Sequence, residues 1–349
     1  MIARLATLFA DEPQPGVAEL QGLLESIFDG PGIDGELIER QSIKGRVHRL
    51  RFDIGGQRRS IVVKRLDPDI ARRDELVVKR WLPSVGLEGL APILLGVAAE
   101  GNGSSVWHAY QDLGDVTLDR AAPDPADVER AVREIAALHT RFAGHALLGE
   151  CRLWGGDLGI AFFGASVRDA ASALRSLETV IDLEDPLASV RDRLLDRLSR
   201  LLEDLPRRAV ELERFGGPET LLHGDLWRKN VILLGDQGGQ VRLIDWDHAG
   251  VGSIVYDLST LLARFPPPDR SWVLDCYRRA VEPAGWRLPE ACRLNALFDT
   301  AEQARIANRI IWPAIAVLEG DRDWGPSALA EIEGWFDALD PLLPEGAGL

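Results

Sequence analysis

One stretch of the sequence, residues 221–247, restricts the possible folds more than any other. It reads LLHGDLWRKNVILLGDQGGQVRLIDWD, two short apolar runs around a glycine-rich turn. Each run has the length and the composition of a buried strand, so the pattern predicts a β-hairpin. Asp225 precedes the first strand, Asn230 stands at its start, and Asp245 follows the second strand. Because a hairpin goes out and comes back, we expect Asp225, Asn230 and Asp245 to converge at one end.

Two carboxylates and one amide oxygen at that end suit a hard divalent cation. Mg²⁺ binds few protein oxygens and leaves its other positions to water and phosphate. If Asn230 and Asp245 hold the metal, Asp225 is left to orient an attacking hydroxyl. The alternative is a surface hairpin whose Asp and Asn side chains only form turns. The combined spacing of the three residues favours the catalytic interpretation.

These residues also carry a family resemblance. HGDLWRKN at 223–230, followed by IDWD at 244–247, resembles the catalytic segment of aminoglycoside phosphotransferases, choline kinases and related small-molecule kinases. HGDLW is similar to fructosamine kinases. A protein kinase has Arg after the His and Phe-Gly after the metal-binding Asp, where this chain has Gly224 and Trp246-Asp247. The resemblance therefore points to the small-molecule branch.

The resemblance implies an α+β, bilobal protein-kinase-like fold with a small antiparallel β N-lobe, a larger, mostly helical C-lobe, and ATP between them. The length of 349 residues exceeds the usual size of one core, which agrees with two lobes. We expect residues 1–29 to form a helical N-terminal extension and residues 30–113 the nucleotide-binding N-lobe, a β-sheet with one helix. Residues 114–349 would form the C-lobe with the catalytic hairpin and the acceptor site.

Short β-branched and apolar runs predict the strands of the N-lobe. Gly55-Gly56 and Gly101-Asn102-Gly103 supply turns between them. Gly45 lies in the turn 42–46, where a kinase has its phosphate-covering loop, although one glycine equally fits an ordinary hairpin turn. The predicted strands are 36–43, 47–54, 60–66, 93–99 and 105–111.

Lys64 follows three apolar residues and resembles the nucleotide-binding Lys of the kinase VAIK strand. Only four of the forty basic residues are Lys, and an ammonium at a strand end can reach the α/β-phosphates. A helix then begins at Asp67-Pro68. Glu75 borders its apolar face, where the resemblance places the carboxylate that pairs with Lys64, whereas Asp74 is expected to be exposed. The alternatives are an outward surface Lys and a solvated helix Glu.

Three further positions take their expected roles from the resemblance. Asp112 and Leu113 follow the last strand like the kinase hinge, whose backbone N–H and C=O groups bond the adenine edge. His139 ends a predicted helix over 124–142 as in the family. Asp257 matches an Asp that supports the catalytic loop, and the alternative is an ordinary helix N-cap.

Charge and composition limit the partners. A formal net charge of −15 argues against nucleic acid and permits a cationic substrate. Carboxylates near Trp312 and Trp324 could receive an ammonium, or they could form only the solvated side of an acidic protein. These carboxylates are Asp299, Glu302, Glu319, Asp321 and Asp323.

Cysteine usage and hydropathy bear on the compartment. The three cysteines are scattered without a CxxC motif, so neither a disulfide framework nor a zinc site is predicted. No stretch approaches a membrane span, and the N-terminus is a poor signal peptide. We therefore expect a cytoplasmic protein that does not associate with membranes.

The sequence predicts an ATP-dependent, Mg²⁺-dependent O-phosphotransferase that phosphorylates a hydroxyl of a small molecule, an amino sugar, aminoglycoside or amino alcohol. One alternative is a kinase of a neutral sugar or another small metabolite. A second is a nucleotide-binding pseudokinase, which would usually lack the catalytic Asp, the Asn or the metal-binding Asp, and this chain has all three. A protein kinase is disfavoured because too few residues separate Asp245 from Tyr256-Asp257 for an activation segment.

Overall fold

The computed structural model describes residues 9, 14–28, 35–180, 185–235, 239–320 and 324–344. The chain divides into two compact units. The first comprises residues 1–131 and 228–249, and the second comprises residues 132–227 and 250–349. This division differs from the expected lobes, because residues 114–131 and the hairpin strands belong with the N-terminal unit. Of the predicted N-terminal extension, residues 1–8, 10–13 and 29 lie outside the described residues.

The first unit is built on a five-stranded antiparallel sheet with the strand order β1-β2-β3-β5-β4. All five strands were predicted, with bounds that differ by at most three residues, because alternating burial and glycine turns are local signals. The helix α1 (Val17–Phe28) precedes them. The strands are β1 (Gly35–Lys44), β2 (Val47–Ile54), β3 (Gln57–Leu66), β4 (Leu94–Ala99) and β5 (Val106–Gln111).

One face of this sheet packs against α1. Leu20 and Leu24 of the helix are fully buried and belong to the same apolar cluster as Phe52, Val63 and Trp107. Burying a side chain of this size stabilises the folded state by about 1.5–3 kcal/mol. The α1 helix is therefore part of the first unit's core.

The helix α2 (Pro68–Leu76) follows β3 and has Pro68 in its first turn, as predicted. A π-helical turn at Val77–Trp81 continues it. The buried face contains Asp74, Val77 and Trp81. Asp74 lies three residues before Val77 and seven before Trp81, so helical spacing puts its carboxylate on the apolar side, and the expectation that it is exposed was wrong.

The second unit is mainly helical. Its core joins apolar residues of four helices, among them Leu174, Leu198, Ile310 and Phe336. Strands β6 (Glu219–Leu222) and β9 (Gly250–Ser253) pair antiparallel within it. The helices are α3 (Pro125–Phe142, whose start belongs to the first unit), α4 (Leu148–Gly155), α5 (Ile160–Val180), α6 (Asp185–Phe215), α7 (Val255–Ala263), α8 (Pro267–Val281), α9 (Ala291–Glu319) and α10 (Trp324–Asp337).

The antiparallel sheet near the N-terminus and the helical C-terminal part confirm the predicted α+β class. In the part of the chain that the structure describes, no helix has both the length and the apolar character needed to span a bilayer.

Candidate active site

The hairpin predicted from the sequence is present in the first unit. Strands β7 (Val231–Leu234) and β8 (Gln240–Leu243) pair antiparallel, and residues 236–238 of the turn lie outside the described residues. A short 3₁₀ turn, Arg228–Asn230, leads into β7. The Ile244 N–H donates to the Asn230 carbonyl oxygen at 3.0 Å. Asn230 and Asp245 therefore lie at the same end of the hairpin, as expected.

Asp245 has an unusual backbone. Its φ of 69° and ψ of 55° place it in the left-handed region, and no other non-glycine residue among those described has a positive φ. This conformation costs an L-residue roughly 1–2 kcal/mol. Such strain is found most often at functional sites, where the surrounding structure maintains it. The backbone of Asp245 thus indicates a constraint beyond folding.

Lys64 reaches this end of the hairpin from β3. Its Nζ contacts a carboxylate oxygen of Asp245 and lies 2.5 Å from Oδ1 of Asp247. Burial alone would lower the pKa of Lys64, but the charges of Asp245, Asp247 and Asp74 outweigh burial and raise that pKa above its usual value. Lys64 is therefore a fixed cation beside the candidate metal ligands. Asp247, which sequence reasoning left without a role, belongs to the same cluster.

The expected ion pair between Lys64 and Glu75 is not formed. The Glu75 carboxylate is 3.0 Å from Nζ of Lys79 and 3.9 Å from the Arg72 guanidinium, both on its own helical stretch. The buried carboxylate of the same turn is Asp74. Glu75 lies one position beyond the apolar face, so its side chain turns toward neighbours on the helix surface.

Asp74 is held by polar side chains of β5. The Tyr110 hydroxyl donates to Asp74 Oδ2, and Nδ1 of the fully buried His108 lies 3.2 Å from the same oxygen. His108 is also the register partner of Lys64 across β3 and β5. Asp74 is therefore the α2 carboxylate whose charge acts on Lys64.

Gly45 occupies the turn between β1 and β2. Lys44 pairs with Val47, and Gly45 has a φ of 36°. A Cβ atom at Gly45 would meet no other atom within 4 Å, so space does not demand a glycine there, although the positive φ favours one. Its predicted role as a phosphate-covering glycine stays a prediction.

Asp112 anchors the segment after β5. Its carboxylate accepts hydrogen bonds from the Ser60 hydroxyl at 2.5 Å, the Gly114 N–H at 3.0 Å and the Arg49 guanidinium at 3.0 Å. Burial would raise the pKa of Asp112, but these bonds hold it below its ordinary value. The side chain thus fixes the conformation of the segment. That the backbone groups of Asp112 and Leu113 bond the adenine edge stays a prediction.

Asp225 lies in the second unit, in a loop fixed by a buried carboxylate. Asp257 is inaccessible to solvent and accepts the N–H groups of His223 at 2.7 Å and Gly224 at 2.9 Å. It also lies 3.3 Å from Nε2 of His139. Burial would raise the pKa of Asp257, but hydrogen bonds from His139 and His223 outweigh burial and hold that pKa below its ordinary value. These contacts agree with the supporting role implied by the resemblance, and Asp257 is not a helix N-cap.

Contacts at both ring nitrogens fix the orientation of His139. Nδ1 lies 2.8 Å from the hydroxyl oxygen of Tyr277. A tautomer with the proton on Nε2 satisfies both contacts, since Nε2–H donates to Asp257 and Nδ1 accepts from Tyr277. The loop before Asp225 therefore rests on a fully buried polar network.

Arg228 and Arg264 make contacts that the sequence did not predict. The guanidinium of Arg228, in the first unit, donates to the carbonyl oxygens of Leu118 at 3.2 Å and Arg120 at 2.5 Å. In the second unit, Cζ of Arg264 lies 3.5 Å from the centre of the Trp227 ring. No sequence pattern singled out Arg264, because only the fold brings it to Trp227.

Two carboxylates expected to receive an ammonium already have arginine partners. Asp299 is 2.8 Å from Arg208, and Glu302 contacts Arg305. Glu319 is exposed, and Asp321 and Asp323 lie outside the described residues. Trp312 and Trp324 are exposed large aromatic side chains.

The second unit contains a cavity of about 1050 Å³ that is large enough for a small-molecule acceptor. It is bounded by the start of α8, the first half of α9 and residues 338–344. Asn295 ties that last segment in place, because it exchanges two 2.9 Å hydrogen bonds with the backbone of Leu343. Polar lining side chains are Arg270, Ser271, Asn295, Asp299, Glu302 and Asp340.

The donor set at the hairpin fits Mg²⁺. Among the described residues, no group of three or more His, Cys, Asp or Glu side chains has metal-binding geometry. Mg²⁺ does not require one, since it is commonly held by one or two carboxylates together with nucleotide phosphates and water. Asn230 and Asp245 supply that limited set.

Comparisons with known proteins identify a family and a shared fold. The phosphotransferase enzyme family matches residues 39–293, more than half of the chain. Curated proteins give no match. A solved ethanolamine kinase of Plasmodium vivax is 11% identical with a TM-score of 0.59, and 97% of each chain is covered. A spectinomycin phosphotransferase solved with ADP and spectinomycin is 12% identical with a TM-score of 0.56, covering 95% of this chain and 96% of its own.

At these identities the two structures show a shared fold and no more. The family match runs from within β1 to the start of α9 and includes Lys64, Asp225, Asn230 and Asp245. It confirms the resemblance seen in the sequence and the predicted enzyme class, a phosphotransferase. The chain belongs to the phosphotransferase enzyme family.

Proposed function

We propose that this protein transfers the γ-phosphoryl group of ATP to a hydroxyl of a small molecule and uses Mg²⁺. The observation that carries the proposal is the contact of Lys64 with Asp245 at the hairpin end that also bears Asn230. A cation and oxygen ligands held together are what a Mg²⁺-nucleotide polyphosphate needs, because phosphoryl transfer depends chiefly on positioning and charge neutralisation.

Each residue of the site has a separate role in the proposed phosphoryl transfer. Lys64 binds the nucleotide phosphates, and Asn230 and Asp245 hold Mg²⁺. Bound Mg²⁺ neutralises charge on the phosphate oxygens. Asp225 orients the acceptor hydroxyl and accepts its proton. Gly45 would cover the phosphates.

Backbone groups would bind the adenine, and a neighbouring carboxylate would stabilise the charge of Lys64. The backbone of Asp112 and Leu113 would bond the adenine edge, in a segment that Arg49 and Ser60 hold in place through Asp112. Asp74 takes the stabilising role that the sequence assigned to Glu75, because its buried charge acts on Lys64.

The acceptor is expected to be an amine-bearing alcohol or a neutral polyol. The names of the ethanolamine kinase and the spectinomycin phosphotransferase support including amines in a screen. The pairing of Asp299 with Arg208, and of Glu302 with Arg305, weakens the sequence argument for an ammonium site. An ammonium group of the acceptor would therefore have to be bound by residues other than Asp299 and Glu302.

A pseudokinase is the second candidate, and the preserved residues argue against it. Asp225, Asn230 and Asp245 are all present, and loss of at least one of them is the usual sign of a nucleotide-binding protein without turnover.

Cys151, Cys276 and Cys292 are free thiols, which supports a reducing, cytoplasmic compartment.

A coupled assay of ADP release tests the function. Purified protein with Mg·ATP is screened against amino sugars, amino alcohols, fructosamines, plain sugars and hydroxy acids. Acceptor-dependent ADP release that disappears in Asp225→Asn supports the proposal. Tight Mg·ATP binding without turnover of any acceptor would favour the pseudokinase.

A further inference from the structure

The first turn of α8 brings a cation to the cavity of the second unit. Arg270 lines this cavity, and its side chain is partly buried. Its Nε–H donates to the carbonyl oxygen of Phe265 at 3.0 Å, which restricts the orientation of the guanidinium. Among the described residues, neither Nη group has a hydrogen-bond or ion-pair partner. The Nη groups are therefore available as donors to a ligand.

No carboxylate among the described residues balances this cation. Asp269, the preceding residue, is exposed and forms no ion pair with Arg270. Burial lowers the pKa of Arg270, and no charge of the described residues opposes that effect. Arg270 also lies in the first turn of a 15-residue helix, where the positive end of the helix dipole disfavours a cation. An anion at the Nη groups would offset the free-energy cost of removing this charge from water.

A hydroxyl of the same helical turn also lines the cavity. Ser271 follows Arg270 on α8, and its Oγ makes no hydrogen bond with any described residue. A hydroxyl can donate one hydrogen bond to an anion, and the two Nη groups of a guanidinium can donate a bidentate pair to a carboxylate or a phosphate. The start of α8 thus presents a set of donors to the cavity.

The carboxylates that line the cavity do not offer an equivalent site for a cation. Asp299 is 2.8 Å from Arg208, and Glu302 contacts Arg305, so both charges are already paired. Asp340 is exposed, and water can stabilise its charge without a partner. The guanidinium of α8 is partly buried and lacks a carboxylate among the described residues, so the lining charges favour an anionic ligand over a cationic one.

Most of the remaining wall is apolar. Phe298 of α9 and Leu339 and Leu343 of the C-terminal segment line it. Pro267 and Pro268 form the start of α8 and stiffen the turn that carries the donors. A concave, mainly apolar site with a few convergent polar groups is typical of small-molecule binding, and about 1050 Å³ is enough for such a ligand.

We propose that this cavity binds a small organic anion, whose carboxylate or phosphate group is held by Arg270 and Ser271 and whose apolar part packs against Phe298 and Leu339. The inference goes beyond the proposed phosphoryl transfer, because it concerns residues of the second unit alone and requires neither nucleotide nor Mg²⁺. No covalent bond forms at this site. Binding can therefore be measured without turnover, and its failure is distinct from failure of the proposed function.

Naphthalene probes that differ in their polar group provide the first test. They are 1-naphthoate, 1-naphthyl phosphate, 1-naphthamide and 1-naphthylmethylamine, and titration calorimetry measures the Kd of each without nucleotide. Hydrogen bonds from a charged donor predict that at least one anion binds about 10-fold tighter than the neutral amide. The order of the two anions distinguishes a carboxylate site from a phosphate site.

Three results of this titration would overturn the inference. They are equal affinities for the anions and the amide, tightest binding of the amine, and no detectable binding of either anion. Each of these results would leave the proposed phosphoryl transfer intact, because no nucleotide is present.

Variants of Arg270 provide the second test. Arg270→Gln should remove most of the preference for the tighter-binding anion over 1-naphthamide and change the Kd of the amide only a few-fold. Arg270→Lys should keep part of the preference, because it retains the charge and loses the planar pair of donors. Arg278→Gln is the matched control, since Arg278 lies further along α8, is 3.0 Å from Asp275 and does not line the cavity. A preference that survives in Arg270→Gln, or that falls equally in the control, would refute the inference.

Hydrogen exchange on the wild-type protein locates the probe and covers the case in which the variants do not fold. The tighter-binding anion at saturation should slow amide exchange in the first half of α9 and in residues 338–344, which bound the cavity. Exchange in β1 of the first unit is the internal reference. Protection confined to other segments would place the probe elsewhere and contradict the assignment.

Discussion

Asp257→Asn tests the buried network that holds the loop before Asp225. The carboxylate accepts two backbone N–H groups, at 2.7 and 2.9 Å, and faces His139 at 3.3 Å. Asn keeps the shape and has one acceptor oxygen, while its NH₂ group faces a donor. At least one buried N–H then loses its acceptor, which costs about 1–3 kcal/mol, and the remaining bonds lose their charge assistance.

We therefore expect Asp257→Asn to lower the free energy of unfolding by about 2–5 kcal/mol. For a unit of this size that corresponds to a fall in Tm of roughly 4–20 °C, at about 2–4 °C per kcal/mol. Urea titration followed by circular dichroism measures the change. Asp196→Asn is the control, because it makes the same substitution at an exposed position on α6. A loss no larger than that of the control would refute the assigned role.

The pH dependence of this difference has a defined sign. The folded-state pKa of Asp257 lies below its ordinary value, so its contribution is present above the unfolded pKa of about 3.9. The contribution is lost as the pH falls through the folded pKa. The stability gap between wild type and Asp257→Asn should be constant near neutral pH and should shrink in acid. A gap that widens on acidification would contradict the assignment.

Three other substitutions test the proposed chemistry. Asp225→Asn should reduce kcat by roughly 10²–10⁴ and leave Mg·ATP affinity nearly unchanged, as steady-state kinetics and calorimetry can show; wild-type turnover would exclude Asp225 as the base. Asp245→Ala should abolish Mg²⁺-dependent activity, because Asn230 alone offers no charge to a hard cation, and undiminished Mg·ATP affinity in titration calorimetry would place the metal elsewhere. Asp74→Asn should raise KM for ATP more than Glu75→Gln does, because Asp74, unlike Glu75, is one of the carboxylates whose charges raise the pKa of Lys64. The reverse order would restore the original assignment.

The strands and the hairpin were predictable because their signals are local. Alternating burial along β2 and β3, the glycine turns and the two short runs of the hairpin depend on neighbouring residues only. Asn230 and Asp245 could be placed together because a two-stranded hairpin fixes which ends coincide. The family-specific motif supplied the fold class and the enzyme class.

The charge partners could not be predicted in the same way. Which carboxylate of α2 faces inward depends on the rotation of one helix by a single position, and Glu75 and Asp74 differ by only that much. The pairing of Asp299 with Arg208 joins two residues that are 91 positions apart in the chain, on α9 and α6. Arg264 meets Trp227 only through tertiary structure. Sequence spacing carries no information about such partners.

The distribution of charge explains why the site needs short-range cations. A net charge of −15 repels a nucleotide polyphosphate, and salt reduces that repulsion to short distances, since the Debye length is ~8 Å at physiological ionic strength. Affinity for ATP must then arise from direct contacts. Lys64 satisfies this requirement because three carboxylates keep it protonated although it is largely buried. Asp245, one of the carboxylates that stabilise that charge, is also the proposed ligand of Mg²⁺. In the proposed function, one cluster would therefore provide both the cation and the metal ligand that phosphates require.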